Sequence, residues 1–353
     1  MFKLSKKKIG TFLIILAILL FFVSSGSCES KYEFNIALND KLWDAPGITL
    51  QTFAESVRYA SGGDIDIKIF PGGEWSGSEE DYCQSLQLGT LDMAVTMVGV
   101  IGQYTDALFL FDTPFLFKNT AEQISFMFDS ATKHSPITVK ALEQASKDAK
   151  FMVLALKTGG KRDIFANKPI ETYDDLKGLK IRTMASSIQV DAFSFAGMQA
   201  TPLPYSECFT ALQLKAVDAM ENTPGSYLKM KFNEVAPYYF STDHMAGVMA
   251  ISMSLKAWNS LPAAYQNILR ECATGAAYVS TIYALGEYDY ILNNTLVNFV
   301  KKLTMFKPED KLELRKNVLP KLLDKYSERI GIDVLKSLAE DDELIASWLE
   351  KNK

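Results

Sequence analysis

Between Ala263 and Leu303, apolar residues recur at helical spacing for about forty positions, and no proline interrupts them. Leu269, Cys272, Ala276, Val279 and Tyr283 begin the stripe, and Leu292, Leu296 and Val300 continue it. At about 1.5 Å per residue such a helix reaches roughly 60 Å, longer than one α/β lobe is wide. A chain that carries it needs a body in two parts for the helix to lie along. A coiled-coil dimer is the competing reading, but the heptad is not kept strictly.

The residues before this helix supply two such parts. "YEFNIAL" (32–38), "DIDIKIF" (64–70) and "LDMAVTMV" (91–98) read as strands, with helical spacing between the first two. "SEEDYCQSLQLG" (78–89) reads as a helix capped by Ser78 and closed by Gly89. "FMVLALK" (151–157) ends this first unit. A second unit follows, with "KRDIFA", "LKIRT" and "VDAMEN" as strands, and 187–196 and "YSECFTALQLKA" as helices. "HMAGVMAISM" (244–253) is again strand-like and returns the chain to the first unit. Strands alternating with helices imply a parallel or mixed sheet covered on both faces. The expected fold is therefore α/β and two-lobed, with hinge strands and a long helix spanning both lobes. Residues 28–158 plus about 248–287 form lobe I, and residues 159–247 plus about 288–353 form lobe II. Helix 263–303 is shared between them, and the tail from 308 gives two or three amphipathic helices.

The N-terminus reads as a targeting segment. Lys3, Lys6, Lys7 and Lys8 precede an uncharged stretch from Ile9 to Val23, then Ser24, Ser25, Gly26, Ser27 and Cys28. A basic start, a short apolar run and a small-residue exit form a signal peptide over 1–27. The run is shorter than the ~20 residues that span hydrocarbon. "SGSC" resembles the lipobox of bacterial lipoproteins, which implies a lipid on Cys28, although Ser25 stands where that box prefers an aliphatic residue. Ordinary cleavage is the alternative, and both place the protein outside the cytoplasm. Removing 27 residues and four lysines leaves 326 residues and moves the formal charge from −5 to −9. That balance argues against nucleic acid as a partner.

Cys83, Cys208 and Cys272 lie far apart without metal-ligand spacing, and an odd count cannot pair fully, so buried free thiols are expected. With only His134 and His244, a histidine metal site or a Ser-His-Asp triad has almost no material. No metal and no cofactor is expected. The acidic runs "SEEDY" (78–82) and "EDDE" (340–343) read as helix starts or exposed turns rather than a glycosidase pair, because acids favour the positive end of a helix.

"QLGTLDMAV", "FDTPFLFKN", "DLKGLKIRTM", "TPLPYSECFTALQLKAVDAMENTP", "NEVAPYYFSTDH" and "SMSLKAWNSLPAAYQ" occur in this order. They resemble the successive motifs of the substrate-binding proteins of tripartite ATP-independent periplasmic (TRAP) transporters, the DctP type. The resemblance implies a periplasmic-binding-protein fold and an extracytoplasmic receptor, not an enzyme, that closes on a small organic acid. It implies integral membrane TRAP subunits as partners. Some lipid-anchored relatives work instead with a periplasmic tetratricopeptide-repeat partner.

In that family the arginine ending "LKGLKIR", here Arg182, binds the ligand carboxylate. The residue suits the task, because a guanidinium offers a planar fork of donors and keeps its charge. The resemblance adds Arg162 in "GGKRDIF" as a second basic residue and Asn222 in "DAMENTP" as a carboxylate partner. Tyr205 in "PYSECF" becomes an aromatic wall, and Asn39 a further contact after the first strand. For each there is a plainer reading: an ion pair for Arg162, a turn for Asn222, packing for Tyr205. His244 matches a family position and reads as structural.

Two positions depart from the pattern. Ala185 stands where the family often has an asparagine, and Met97 where sialic-acid binders carry a glutamate. Losing two hydrogen-bonding groups argues against a heavily hydroxylated sugar acid, since buried hydroxyls need partners. Methionine favours a carboxylate with a small or apolar body, unless Met97 is merely core. A sensor feeding a signalling receptor is the alternative function.

Overall fold

The computed structural model describes residues 30–42 and 45–352; the signal segment and Cys28 lie outside the described residues. Eleven strands are present among them. They are β1 (Tyr32–Ala37), β2 (Ile65–Phe70), β3 (Met93–Met97), β4 (Phe128–Ser130), β5 (Lys133–His134), β6 (Phe151–Ala166), β7 (Lys180–Thr183), β8 (Gln199–Pro202), β9 (Ala219–Asn222), β10 (Tyr238–Ser254) and β11 (Lys302–Met305). The main sheet runs β2-β1-β3-β10-β6-β9-β7-β8, with β11 also on β10, while β4 and β5 pair separately. Its flanks are parallel, β1 with β2 and β3, and β7 with β8 and β9.

The centre is an antiparallel pair of long strands. The segments expected as separate strands near 151–157 and 161–166 are one strand of 16 residues, and β10 is 17 residues long. One end of β10, Met249–Met253, pairs with β3, and its other end, Tyr238–Ser241, pairs with β11. The far end of β6, Asp163–Ala166, pairs with β9. Each long strand thus passes from one α/β lobe into the other. At the crossing the β6–β10 register slips between Phe240 and Met245 and again between Ala246 and Val248. Gly160 sits there at φ +110°, where a side chain would be strained. Thr158 Oγ1 ties the crossing by donating to Gly247 O at 3.2 Å and accepting from Gly160 N–H at 3.0 Å.

Along residues 151–158, β6 has no strand on its outer side among the described residues. Side chains take its outward donors: Val153 N–H donates to Ser146 Oγ, Leu156 N–H to His134 Nε2 and Thr158 N–H to Thr281 Oγ1, at 2.9–3.2 Å. These bonds satisfy backbone groups that burial would otherwise penalise.

The helices used below are α1 (Ala45–Ala60), α2 (Glu79–Leu88), α3 (Pro136–Ala149), α4 (Ser187–Phe195), α5 (Pro224–Lys229), α6 (Ala263–Tyr290), α7 (Pro308–Ile330), α8 (Ile332–Leu338) and α9 (Glu343–Lys351). Ser78 caps α2 through Asp81 N–H, and Gly89 at φ +67° closes it, the frame its sequence predicts. Helix α6 touches both lobes. Tyr265 near its start bonds Asp64 before β2, and Tyr288 near its end donates to Asp163 Oδ2 of β6 at 2.9 Å. It is shorter than the pattern predicts. After Tyr290 the chain makes a π turn (Ile291–Thr295) and a 3₁₀ turn (Leu296–Asn298), and Leu303 belongs to β11. Asn293 and Asn294 donate to the carbonyls of Asp289 and Tyr290, competing with the backbone ladder.

The tail forms three helices that clamp residues distant in sequence. Arg315 of α7 donates to Phe115 O and Leu116 O and pairs with Asp342 at 2.6 Å. Asp342 is therefore buried rather than on an exposed turn, although it does start a helix, accepting from Leu344 and Ile345 N–H. One apolar core reaches from Phe34 to Ile345, and a second gathers Phe165, Tyr227, Phe232, Tyr239 and Leu292. Cys83 and Cys208 are buried free thiols, while Cys272 is half-buried.

Candidate functional site

The carboxyl ends of the parallel strands in an open α/β sheet leave a crevice, and ligands gather there. Here the ends of β1, β3, β7 and β9 converge on one cleft of about 930 Å³, including solvent at its mouth. Asn39, Met97, Arg162, Arg182, Tyr205 and Asn222 all line it, with Ala185 beside them. The residues singled out in the sequence are thus brought together.

Arg182 is held at the end of β7 and is 4% exposed. Its Nε and Nη2 donate to Leu203 O at 2.9 and 2.6 Å. That single carbonyl fixes the plane of the guanidinium and leaves Nη1 and one Nη2 hydrogen for another acceptor. Among the described residues no carboxylate pairs with Arg182.

Arg162 is placed differently. It lines the cleft, yet its Nε and Nη2 donate to Glu221 Oε2 and Oε1, the second at 2.7 Å. This is a buried fork-to-fork pair, not the lobe-surface pair of the plainer reading. Burial disfavours the Glu221 anion, but Arg162 and His244 outweigh it and hold the carboxyl down to about 2. His244 is buried, with Nε2 3.5 Å from Glu221 Oε2 and Nδ1 2.8 Å from Thr242 Oγ1, a structural position.

Asn222 follows Glu221 at the end of β9. Its Oδ1 accepts from Thr223 N–H at 2.8 Å, which turns the amide nitrogen away from that contact. Asn39 Oδ1 accepts from Tyr82 OH at 2.8 Å, so the adjoining helix α2 fixes this amide too. Tyr205 stands in a short 3₁₀ turn with its ring edge-on to Phe232, 6.3 Å between centroids. Burial raises its hydroxyl pKa, so it is a neutral wall.

Glu79 was missed as a site residue, being one acid among several in "SEEDY". The first residue of α2, it is half-buried in the cleft wall, where its Oε2 accepts from Met97 N–H at 2.7 Å. Burial lifts its pKa to about 8, with Asp40 and Glu80 adding to the rise and the Met97 bond and Arg182 opposing it. At neutral pH it is a carboxylic acid able to donate a hydrogen bond. The helix-start signal was present in the sequence; which of three consecutive acids turns inward was not. Glu221 was likewise unseen, because its role depends on a partner 59 positions away.

Met97, Val100, Met184, Leu203, Pro204 and Met249 give the cleft an apolar side. Among the described residues no cluster of His, Cys, Asp and Glu could hold a metal ion. What the arrangement offers is a fixed cation with free donors, two oriented amides and a neutral acid against an apolar wall, which suits capture of an anion.

The sequence profile of the bacterial extracellular solute-binding proteins, family 7 (DctP), matches residues 44–329. A solute-binding protein of Sulfitobacter sp. (strain NAS-14.1) is 31% identical over 229 residues, covering 65% of this chain and 67% of the relative. Two solved structures share the fold. A TRAP periplasmic solute-binding protein from Shewanella oneidensis with bound succinate superposes with a TM-score of 0.78 at 23% identity, covering 91% of this chain and 99% of that one. One from Desulfovibrio salexigens with bound orotic acid gives 0.77 at 24% identity, covering 90% and 99%. The chain belongs to the DctP family of bacterial extracellular solute-binding proteins, the substrate-binding proteins of TRAP transporters.

Proposed function

We propose that this protein captures a small organic acid outside the cytoplasm by closing its lobes, with Arg182 receiving the carboxylate, and delivers it to integral membrane TRAP subunits. One observation carries the reading: Arg182 is a buried cation in the cleft, oriented by Leu203 O and without a carboxylate of its own. In a cleft that excludes water, a carboxylate on that fork interacts far more strongly than at a surface. Asn222 and Asn39 supply amide donors, and Tyr205 and Met97 enclose the body of the acid. Arg162, neutralised by Glu221, holds the strand that presents Asn222. The apolar side favours an acid with a small or apolar body.

Lobe I comprises residues 28–158 plus about 248–287 and lobe II the remainder, with the hinge at Thr158–Gly160 and Ala246–Val248. The register slips and Gly160 support that placement. The tail helices bridge the halves, since Arg329 pairs with Asp106 and Lys325 with Asp191. A ligand favours the closed form only through contacts absent from the open one. In this reading Cys28 carries the lipid that keeps the receptor at the membrane, and a periplasmic tetratricopeptide-repeat protein is the alternative partner to the membrane subunits. Both rest on the N-terminal motif and the family resemblance.

The test is Arg182→Ala. Mass spectrometry of acids released from the denatured wild type identifies a ligand, and calorimetry then measures it on both proteins. A micromolar ligand binds with about −8 kcal/mol, and its affinity falls at least a hundredfold in the variant with an unchanged circular dichroism spectrum. Retained affinity overturns the reading. Uptake of that acid by a strain lacking the gene separates transport from the alternative of a sensor.

A further inference from the structure

Among the described residues, Lys157 is a buried charge that the site as described leaves unexplained. It lies in β6 and is 0% exposed, and its Nζ is buried without a hydrogen-bond partner. Natural folds pair buried ammonium groups almost without exception, so an unpaired one calls for a reason.

Register gives its position. Met97 of β3 is opposite Met249 of β10, and Met249 is opposite Lys157 of β6. Residues directly opposite on neighbouring strands project from the same face of a sheet. Met97 and Met249 line the cleft, as does Gly159, two residues along from Lys157 on that same face. Lys157 therefore leaves the sheet toward the floor of the cleft, next to the two methionines. Asp40, which also lines the cleft, is the charged group whose field favours its ammonium form, while burial presses its pKa down to about 8. Methionine is the most adaptable apolar side chain, so two of them beside a buried amine make a floor that can part.

We propose that Lys157 is a specificity-determining cation beneath the cleft floor, which receives an acceptor oxygen at the end of the ligand remote from Arg182. The proposal rests on Arg182 taking the first carboxylate. It modifies the apolar body inferred above. The middle of the acid meets methionine, and its far end carries a carboxylate or carbonyl oxygen. An acid without that oxygen leaves the ammonium unpaired and binds less well, the asymmetry by which buried polar groups discriminate between ligands.

The experiment measures succinate against butyrate, and glutarate against pentanoate, by calorimetry at pH 7 on wild type, Lys157→Met and Arg182→Ala. In wild type the acid with the far carboxylate binds at least thirtyfold tighter in one pair or both. Lys157→Met, nearly isosteric, reduces that preference to within threefold, chiefly by weakening the acid with the far carboxylate. A preference that survives in Lys157→Met overturns the proposal. So does a wild type that shows no preference or binds neither member of either pair. If Lys157→Met fails to fold, Lys157→Gln is read by the same criteria. Arg182→Ala separates the two claims. If it retains affinity while Lys157→Met loses the preference, the assignment of Arg182 falls and that of Lys157 stands.

Discussion

The guanidinium of Arg162 and the carboxylate of Glu221 meet edge to edge, two N–H groups donating to two oxygens, and both side chains are buried. Removing either partner strands a charge without water to solvate it. Glu221→Ala is expected to cost about 3–5 kcal/mol of folding stability in urea denaturation. Replacing both residues together, as Arg162→Met with Glu221→Leu, recovers a large part of that loss. A Glu221→Ala variant within 1 kcal/mol of wild type (about fivefold in the folding equilibrium) contradicts the pairing.

Glu79 is expected to make ligand affinity depend on pH. With its pKa raised to about 8 by burial, it is neutral at pH 7 and becomes an anion beside the bound acid as pH rises. Affinity for the co-purified acid should fall roughly tenfold, about 1.4 kcal/mol, between pH 7 and 9.5. Lys157, pressed down to about 8, loses its charge over the same range and acts in the same direction. Glu79→Gln therefore shows a shallower decline than wild type, not a flat one. Identical slopes by calorimetry remove Glu79 from the ligand's surroundings.

His134 supplies a test of stability against pH. Its Nε2 accepts from Leu156 N–H at 3.2 Å and its Nδ1 lies 3.3 Å from Met127 O, so the neutral ring suits the site. Burial lowers its pKa to about 4. Between about pH 6.5 and 4 the unfolded chain binds the proton that the folded one refuses, so this residue's contribution falls as pH drops and levels off below 4. The full effect is about 3 kcal/mol. Asp112, pushed up to about 7 by burial, acts with opposite sign in this window, so the measurement is a difference. The gap in melting temperature between wild type and His134→Asn should narrow as pH falls from 6.5 to 4. A constant gap contradicts the assignment.

Gly160 is held at φ +110°, and a Cβ there would come 3.3 Å from Ala284 O. Gly160→Ala is expected to lose about 1–3 kcal/mol. If the crossing is the hinge, the variant also changes the rate of ligand association, read by stopped-flow fluorescence. A variant as stable as wild type shows that the backbone relaxes at no cost.

Much of this was legible in the sequence where the physics is local. Short strand-like runs located β1 to β3, the last of them a continuous buried stretch, the Ser78 and Gly89 signals framed α2, and six ordered motifs carried the family. The placement of Arg182 in the cleft could be read because a short motif surrounds it. Glu221, Glu79 and Lys157 could not, because each depends on a partner or a cavity assembled from distant strands. The end of α6 was misplaced for a similar reason: the stripe through Leu303 is apolar in either conformation, and pairing of β11 with β10 decides it. Asp342 looked like one more surface acid until Arg315 of α7 met it.

The outward donors along residues 151–158 of β6 have a consequence for life at high concentration. A bare strand edge is a template on which a second molecule can add its own strand. Ser146, His134 and Thr281 occupy the three donors that a foreign strand would need. Along this stretch a second copy thus finds no free donor to pair with, and acid that protonates His134 would release one of the three.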